Sequence, residues 1–252
     1  MRCLKLKKVM MNTKKLRISI IGCGWLGKPL YKTLRENYEV SCYTRRQEEI
    51  YLDHYYYNPP KKSLFWDCDY LIVAISTKDN YLETLKQITF HASTNAVLIL
   101  MSSISVYREY DCEIDEGNPI TQSSKQVEAE QLLQKLRDKL IILRLGGLMG
   151  DDRIAGKWNK VSLFTDGFVN YVHRDDVIGV VGAILSKKIE QGVYNVVAPQ
   201  HPLRSVVHDS NSKKFGFEIG VFKEMSYRKI FSTALERDIK YSFRYSDPLK
   251  FW

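Results

Sequence analysis

The chain has 252 residues, of which 44% are hydrophobic and 27% are charged, with a formal net charge of +9. These values are ordinary for a globular chain of one or two domains, and no run approaches the roughly 18 apolar residues that a membrane-spanning helix needs. The five cysteines (Cys3, Cys23, Cys42, Cys68 and Cys112) show no paired spacing, which argues against a zinc site or a disulfide framework and favours a reducing, cytoplasmic location.

Lysines and arginines are dispersed along the chain except in a basic N-terminal cluster, MRCLKLKKVMMNTKK. No signal-like apolar region follows this cluster before the first predicted strand. We expect residues 1–15 to form a disordered basic leader and Met11 to be the natural start. Positive net charge favours anionic partners, and its dispersal indicates a surface suited to a phosphorylated cofactor rather than to nucleic acid.

Short β-branched runs alternate with helical patterns from residue 16 onward. The predicted strands are 16–22, 38–44, 69–76, 96–103 and 140–147, and the predicted helices are 28–37, 79–91 and 127–138. Residues 54–66 are aromatic and interrupted by proline, so they predict a short strand followed by a loop. Strands that alternate with helices pair in parallel, and we therefore expect an α/β fold with a Rossmann-type doubly wound sheet.

A glycine loop, IGCGWLGKPL, lies between the first predicted strand and the first helix, with Gly22, Gly24 and Gly27 in G-x-G-x-x-G spacing. The first glycine permits a tight turn, the second lets the backbone approach a pyrophosphate, and the third lets helix and strand pack closely. The helix N-terminus offers free N–H groups to the phosphates. The motif therefore predicts dinucleotide binding, with Trp25 and Leu26 in the same loop, rather than a purely structural turn.

The second predicted strand ends in Thr44, Arg45 and Arg46, without the Asp or Glu that binds the adenosine ribose in NAD sites. An arginine pair suits a 2′-phosphate because its contacts are charge-assisted and can be bidentate. We therefore expect these three residues to bind the cofactor and to favour NADP over NAD. The alternative is that both arginines are solvated loop charges.

Beyond about residue 150 the alternation of strands and helices loosens. We expect residues 16–150 to form an NAD(P)-binding Rossmann core and residues 151–252 to form a smaller, substrate-side lobe interleaved with it. Because ligands bind at the carboxyl edge of open α/β sheets, a cleft is expected where the two meet.

Five segments resemble the extended short-chain dehydrogenase/reductase superfamily, the NAD(P)-dependent epimerase/dehydratase group, and above all its atypical members. They are RISIIGCGWLG, LMSSISVY at 100–107, the helix with Lys125, YVHRDDV at 171–177 and GVYNVVAP at 192–199. The resemblance covers nearly the whole chain from residue 16 and is carried by the order and spacing of the segments. It implies a Rossmann fold, a nicotinamide cofactor and hydride-transfer chemistry.

In that family a Tyr-x-x-x-Lys pair performs the proton chemistry, and a Ser or Thr on the fifth strand hydrogen-bonds the substrate oxygen. The resemblance places Ser103 at the Ser/Thr position and Lys125 at the lysine position, but Thr121 stands four residues before Lys125 in place of tyrosine. An aliphatic hydroxyl is a much weaker acid than a phenol. Thr121 therefore bonds the substrate or merely helps to begin the helix.

Lys125 lies four residues before Ala129 and seven before Leu132, which predicts that it shares the apolar side of its helix. A charge on a packed face needs a partner, and the resemblance implies that the cofactor ribose and phosphates provide it. The alternative is a side chain whose stem packs while its ammonium group reaches water.

Other residues resemble family positions of lesser weight. Ser76 and Ser102 end strands where family members contact the cofactor, and Tyr107 and Tyr110 are phenols in the loop after the fifth strand. For Tyr107 a packing or substrate-contact role is favoured over acid catalysis.

The segment YVHRDDV carries the one histidine that stands in a motif. His173 is expected to organise the turn before a helix rather than to act as a base, and Asp175 or Asp176 is expected to cap that helix.

Two functions remain open from sequence. The first is an NADP-preferring epimerase or reductase that acts on a small polar substrate through Ser103 and Lys125. The second is a catalytically silent NADP(H)-binding sensor, suggested by the absent tyrosine. No metal, nucleic-acid or membrane partner is expected, and neither the substrate nor the oligomeric state can be assigned.

Overall fold

A computed structural model of the protein describes residues 15–44, 55–57, 65–78, 80–108, 111–120, 122–157 and 163–252. The helices are α1 (Gly27–Leu34), α2 (Tyr81–His91), α3 (Lys125–Leu136), α4 (Arg174–Lys187) and α5 (Arg204–Phe215). The strands are β1 (Arg17–Ile21), β2 (Glu39–Thr44), β3 (Tyr55–Tyr57), β4 (Tyr70–Val73), β5 (Val97–Ser103), β6 (Glu113–Ile114), β7 (Leu140–Leu145), β8 (Gly147–Met149), β9 (Leu163–Gly167), β10 (Tyr171–His173), β11 (Gly192–Val196), β12 (Val221–Ser226) and β13 (Lys229–Ile230). Among the described helices, none combines the length and the apolar composition that a bilayer span requires.

Seven of the described strands form one parallel sheet in the order β11-β7-β5-β4-β1-β2-β3. The chain runs outward from β1 through β2 and β3, and in the other direction from β4 through β5, β7 and β11. This reversal opens a crevice at the carboxyl ends of β1 and β4, where ligands of doubly wound sheets bind. The predicted Rossmann-type sheet is confirmed. The strands predicted between residues 16 and 147 contain β1, β2, β4, β5 and β7, whereas the short strand β6 was not predicted.

The central strands are buried on both faces because helices cover both. Ile20 of β1 packs with Leu30 of α1 and Val177 of α4 on one face. The next residue, Ile21, packs with Leu85 of α2 on the other face. Two-sided burial explains why these strands are continuous apolar runs rather than alternating patterns.

The chain after residue 150 contributes both to the sheet and to the structure above its carboxyl edge. β11 is an edge strand of the sheet, and α4 packs against α1. Three further parallel pairs, β8 with β10, β9 with β12 and β6 with β13, lie outside the main sheet. The sheet therefore takes elements from both sides of the expected boundary at residue 150.

Candidate functional site

A cavity of about 980 Å³, here called the main cleft, lies at the carboxyl ends of β1, β4 and β5. Its wall brings together most of the residues that the sequence singled out, namely Gly22, Gly24, Trp25, Leu26, Thr44, Ser76, Ser102 and Ser103. Gly27 lies behind the loop. Arg45, Arg46, Tyr110 and Thr121 lie outside the described residues, so their roles stay predictions.

Each glycine of the loop has a distinct physical reason in the structure. Gly22 has a φ of +105°, and a Cβ there would collide with the carbonyl oxygen of Ala74. A Cβ on Gly27 would collide with the carbonyl oxygen of Gly22. A Cβ on Gly24 would meet no heavy atom within 4 Å, so the loop leaves open space on the side of the main cleft.

The N-terminus of α1 adjoins this open space. Its N-cap residue, Leu26, makes no side-chain cap hydrogen bond. Among the residues of the first turn, Lys28 donates its N–H to the Gly24 carbonyl at 3.0 Å, and Pro29 has no N–H. The positive end of the helix dipole nevertheless favours an anion in the open space beside it. The loop and the helix together therefore fit a dinucleotide diphosphate.

Two adjacent serines at the end of β5 have different environments. The Ser102 hydroxyl donates to the Glu130 carboxylate at 2.5 Å and is buried. The Ser103 hydroxyl accepts the backbone N–H of Ser105 at 3.1 Å, capping a short helical turn. The hydroxyl proton of Ser103, on the cleft wall, can be donated to a ligand oxygen, whereas that of Ser102 is already used.

A buried polar network supports the end of β5 from below. The Arg144 guanidinium donates to Glu130, with Nη2···Oε2 2.8 Å, and to the Tyr107 phenol at 2.8 Å. The phenol donates in turn to the Asn195 side-chain oxygen at 2.9 Å. Burial raises the pKa of Tyr107, against the opposing effect of Arg144. The Tyr107 hydroxyl thus accepts one hydrogen bond and donates another within the protein, which supports a packing role rather than acid catalysis.

The structure pairs Cys23 with Cys42, with Cα atoms 6.0 Å apart, a separation that permits a disulfide. The spacing of the cysteines argues against a disulfide framework, and it gives no signal for this pair. Parallel pairing places Ile20 beside Cys42, and the N–H groups of Gly22 and Cys23 both donate to the Tyr43 carbonyl at 3.2 and 3.1 Å. The tertiary structure therefore joins two residues that no sequence spacing relates.

No protein-family model matches the chain. Protein YeeZ of Escherichia coli (strain K12) is 27% identical over an alignment of 272 positions, which covers 92% of this chain and 97% of YeeZ.

Solved structures share the architecture at low sequence identity. A functionally unknown conserved protein from Silicibacter pomeroyi DSS has a TM-score of 0.78 at 16% identity, covering 94% of this chain and 96% of that one. UDP-glucuronic acid 4-epimerase from Bacillus cereus, in complex with NAD, has a TM-score of 0.74 at 17% identity, covering 94% and 97%. A human epimerase family protein with NADPH has a TM-score of 0.70 at 13% identity, covering 94% and 97%. The chain has the fold of the extended short-chain dehydrogenase/reductase superfamily.

The position of Lys125 differs from that expected of the superfamily lysine. Lys125 is the first residue of α3, its side chain is exposed, and it is not part of the described wall of the main cleft. Its exposure agrees with the alternative in which the ammonium group reaches water. The buried residues of α3 are Val127, Ala129, Glu130 and Leu133. At 3.6 residues per turn the centre of this face lies more than a quarter-turn from Lys125, which therefore stands at the margin of the apolar side next to Ala129.

The residue centred on the packed face of α3 in its first turn is Gln126, four residues before Glu130 and seven before Leu133. Gln122, four residues earlier, donates its side-chain N–H to the carbonyl oxygens of Ser105 and Tyr107. Two amides thus stand at Tyr-x-x-x-Lys spacing on the packed side. Neither can act as the phenol and ammonium pair of the superfamily, because an amide does not titrate.

A phenol that the sequence analysis missed lies in the main cleft. Tyr81, in the first turn of α2, lines the same wall as Ser102 and Ser103. Burial and the nearby Glu130 carboxylate raise its pKa to about 12, so its proton is retained at neutral pH. Only its position at the start of a helix after β4, at the carboxyl edge of the sheet, could have indicated it.

A second cavity of about 360 Å³, here called the side cavity, continues from the residues next to the cleft wall. It begins at Ile104 and Gly147, which follow Ser103 and Gly146 in the chain, and it is lined by Asn170, Arg204 and Arg228 among other polar groups. The side cavity and the main cleft thus have neighbouring residues at the end of β5 and in β8 in their walls.

The helix after YVHRDDV is capped by the histidine rather than by an aspartate. The His173 ring accepts the N–H of Asp175 at 3.2 Å and stacks on Tyr245 at 3.7 Å, and burial lowers its pKa. Asp176 is buried and binds the C-terminal segment instead. The predicted cap at Asp175 or Asp176 is thus wrong, whereas the turn-organising role of His173 agrees with the structure.

Proposed function

We propose that the protein binds a nicotinamide dinucleotide in the main cleft, prefers NADP(H), and acts on a small polar substrate as an epimerase or reductase. The observation that carries the proposal is the glycine loop, in which the side of Gly24 faces open space beside the N-terminus of α1. The relatives of known structure that contain NAD or NADPH support the same cofactor class.

The chemistry assigned to the chain's own residues is limited to binding and positioning. A bound nicotinamide supplies hydride transfer. The N–H groups of the glycine loop that follow Cys23 hold the diphosphate, and Ser103 donates a hydrogen bond to the substrate oxygen from the end of β5. The Glu130–Arg144–Tyr107 network holds that strand end rigid. Lys125 has no assigned role because it does not line the described part of the main cleft.

The side cavity is the proposed substrate compartment. Its volume of about 360 Å³ and its polar lining suit a small polar molecule. The proposal includes no nucleic acid and no membrane surface, because the residues to which it assigns chemistry line the main cleft and the side cavity.

The NADP preference rests on Arg45 and Arg46 following Thr44 at the cleft wall. We expect Arg45→Asp to weaken NADPH binding by about tenfold or more and NADH binding by less than about twofold, because only NADPH carries the 2′-phosphate. Calorimetric titration of both coenzymes measures this. Lys157→Asp, an exposed loop position away from the cleft, is the charge-matched control. Equal losses with both coenzymes would contradict the preference.

A second candidate is a catalytically silent NADP(H) sensor. The observation that favours it is the Gln122 and Gln126 pair, which lacks an acid at the superfamily spacing. A substrate screen that follows NADPH absorbance, joined to product analysis because epimerases regenerate their coenzyme, separates the two. Turnover that Ser103→Ala abolishes identifies an enzyme, whereas coenzyme binding without turnover of any substrate identifies a sensor.

A further inference from the structure

Trp25, the residue after Gly24, is held by the segment that follows β8. Its indole N–H donates to the Asp152 carboxylate, with Nε1···Oδ1 2.6 Å across 127 residues of sequence. The guanidinium carbon of Arg153 lies 4.0 Å from the indole ring centroid, and that of Arg174 lies 4.7 Å from it. The glycine loop therefore has two cations stacked on its one large side chain.

These two arginines differ in their charge environment. Arg174 pairs with the Asp151 carboxylate, and its side chain is 12% exposed. Arg153 is exposed, and in the part of the chain that the structure describes no carboxylate forms a salt bridge with it. Arg153 also lines the main cleft together with Gly24 and Trp25. Its guanidinium thus lies at the edge of the open space beside Gly24 without a direct salt bridge, although the pKa of the Asp152 carboxyl is lowered by the Trp25 hydrogen bond and, less strongly, by this positive charge.

We propose that Arg153 is a ligand of the cofactor diphosphate and that Trp25 holds its guanidinium in position. The proposal rests on the proposed dinucleotide binding. Guanidinium is planar, and its N–H donors match the spacing of phosphate oxygens. Stacking on the indole occupies the face of the guanidinium and leaves its in-plane donors available, while it restricts the rotation of a long side chain. The backbone amides of the loop carry no net charge, so Arg153 adds a full positive charge beside them.

The competing interpretation is that these contacts have only a structural role. In that case the contacts of Asp152 and Arg153 with Trp25 only fasten the segment after β8 to the glycine loop, and any effect on binding would come from a displaced loop. The two interpretations differ in which ligands are affected, because a displaced loop would disturb adenosine binding as well.

Calorimetric titration with two probes separates them. NADPH contains the diphosphate, whereas adenosine 2′-monophosphate carries the adenosine end without it. We expect Arg153→Ala to weaken NADPH binding by about tenfold or more, to leave adenosine 2′-monophosphate binding within about twofold, and to flatten the salt dependence of NADPH binding. Arg153→Lys, which keeps the charge but loses the planar fork, should give an intermediate loss.

Lys157→Ala removes a charge from an exposed position nearby that does not line the main cleft, and it should bind NADPH as the wild type does. An unchanged NADPH affinity in Arg153→Ala overturns the proposal, as does an equal loss with both probes. Because Arg153 is exposed, the variant should unfold at the wild-type denaturant midpoint. If the wild type itself binds neither probe, the dinucleotide proposal is what fails.

Discussion

Gly22 and Gly24 share one motif but meet different physical requirements. A side chain at Gly22 would strain the backbone, because φ is positive there, and it would collide with a backbone carbonyl that cannot easily move. A side chain at Gly24 meets nothing in the folded protein and would occupy the space assigned to the diphosphate. The first glycine is therefore required by the fold, whereas the second has a reason only in the proposed binding, a distinction that the sequence pattern alone does not make.

Substitutions at these two glycines should separate stability from affinity. Gly22→Ala is expected to lower the free energy of unfolding by roughly 2 kcal/mol or more, because it combines backbone strain with a collision. Gly24→Val is expected to unfold within about 0.5 kcal/mol of the wild type yet to lose NADPH binding. Urea denaturation and calorimetric titration measure the two quantities. A Gly24→Val variant that still binds NADPH tightly would place the diphosphate elsewhere.

Helix α5 carries a histidine that is 1% exposed, His208. Burial lowers its pKa to about 4, and the positive charge of Arg204 acts in the same direction, while Asp166 opposes them. The unfolded chain binds a proton at a pKa near 6.5. Between these values the unfolded state binds more protons than the folded state, so protonation favours unfolding as pH falls.

The free energy of unfolding is therefore expected to fall as pH decreases from about 6.5 to about 4, by up to about 3 kcal/mol from His208. His173 and His201, whose pKa values burial also lowers, act with the same sign. Urea denaturation at several pH values should show a shallower decline in His208→Gln than in the wild type. Parallel curves for the two proteins would mean that His208 is not the titrating group.

Helix α3 shows how far sequence patterns could predict the site. Its position was predicted to within two residues at each end, since 127–138 was expected and Lys125–Leu136 is observed. Its buried face was misassigned, because the pattern treats Glu130 as polar and exposed. Glu130 is 2% exposed only because Arg144, on a separate strand, neutralises it. The sequence around Glu130 gives no indication of an ion-pair partner that lies fourteen residues away on another element.

A buried carboxylate on α4 binds the C-terminal segment of the chain. Asp176 is 0% exposed and accepts hydrogen bonds from the Tyr241 phenol at 3.0 Å and from the backbone N–H groups of Arg244 and Tyr245 at 2.7 and 3.0 Å. The last segment of the chain is thereby fastened to a helix that covers the central sheet. His173 and Tyr245 stack beside this connection.

Removing this carboxylate should destabilise the protein by about 3 kcal/mol, because Asp176→Ala leaves buried backbone donors without an acceptor. Asp175→Ala, at the neighbouring position whose side chain is 39% exposed, should cost less than about 1 kcal/mol. Denaturant unfolding of both variants gives the comparison. Similar losses in the two would show that Asp176 acts through the helix dipole rather than through the C-terminal segment.

The sheet was predictable because alternating apolar runs and helical periods are local properties of the chain. The parallel pairing of β9 with β12 was not predictable. It joins Leu163 to Val221, which are distant in the sequence, and no hairpin turn or repeat relates the two strands. The same limit applies to the side cavity, whose arginines, Arg204 and Arg228, come from segments that only the folded chain brings together.

The Cys23–Cys42 pair and the hydrogen bonds from the Gly22 and Cys23 N–H groups to the Tyr43 carbonyl connect the glycine loop to the strand that ends at Thr44. In the proposed complex, the loop binds the coenzyme's phosphates and Thr44 lies near its adenosine end. These two recognition surfaces are thus held at a fixed spacing before any ligand arrives, and little backbone freedom is left for the ligand to remove. We therefore expect the favourable enthalpy of coenzyme binding on this side of the cleft to be only weakly opposed by a loss of backbone conformational entropy.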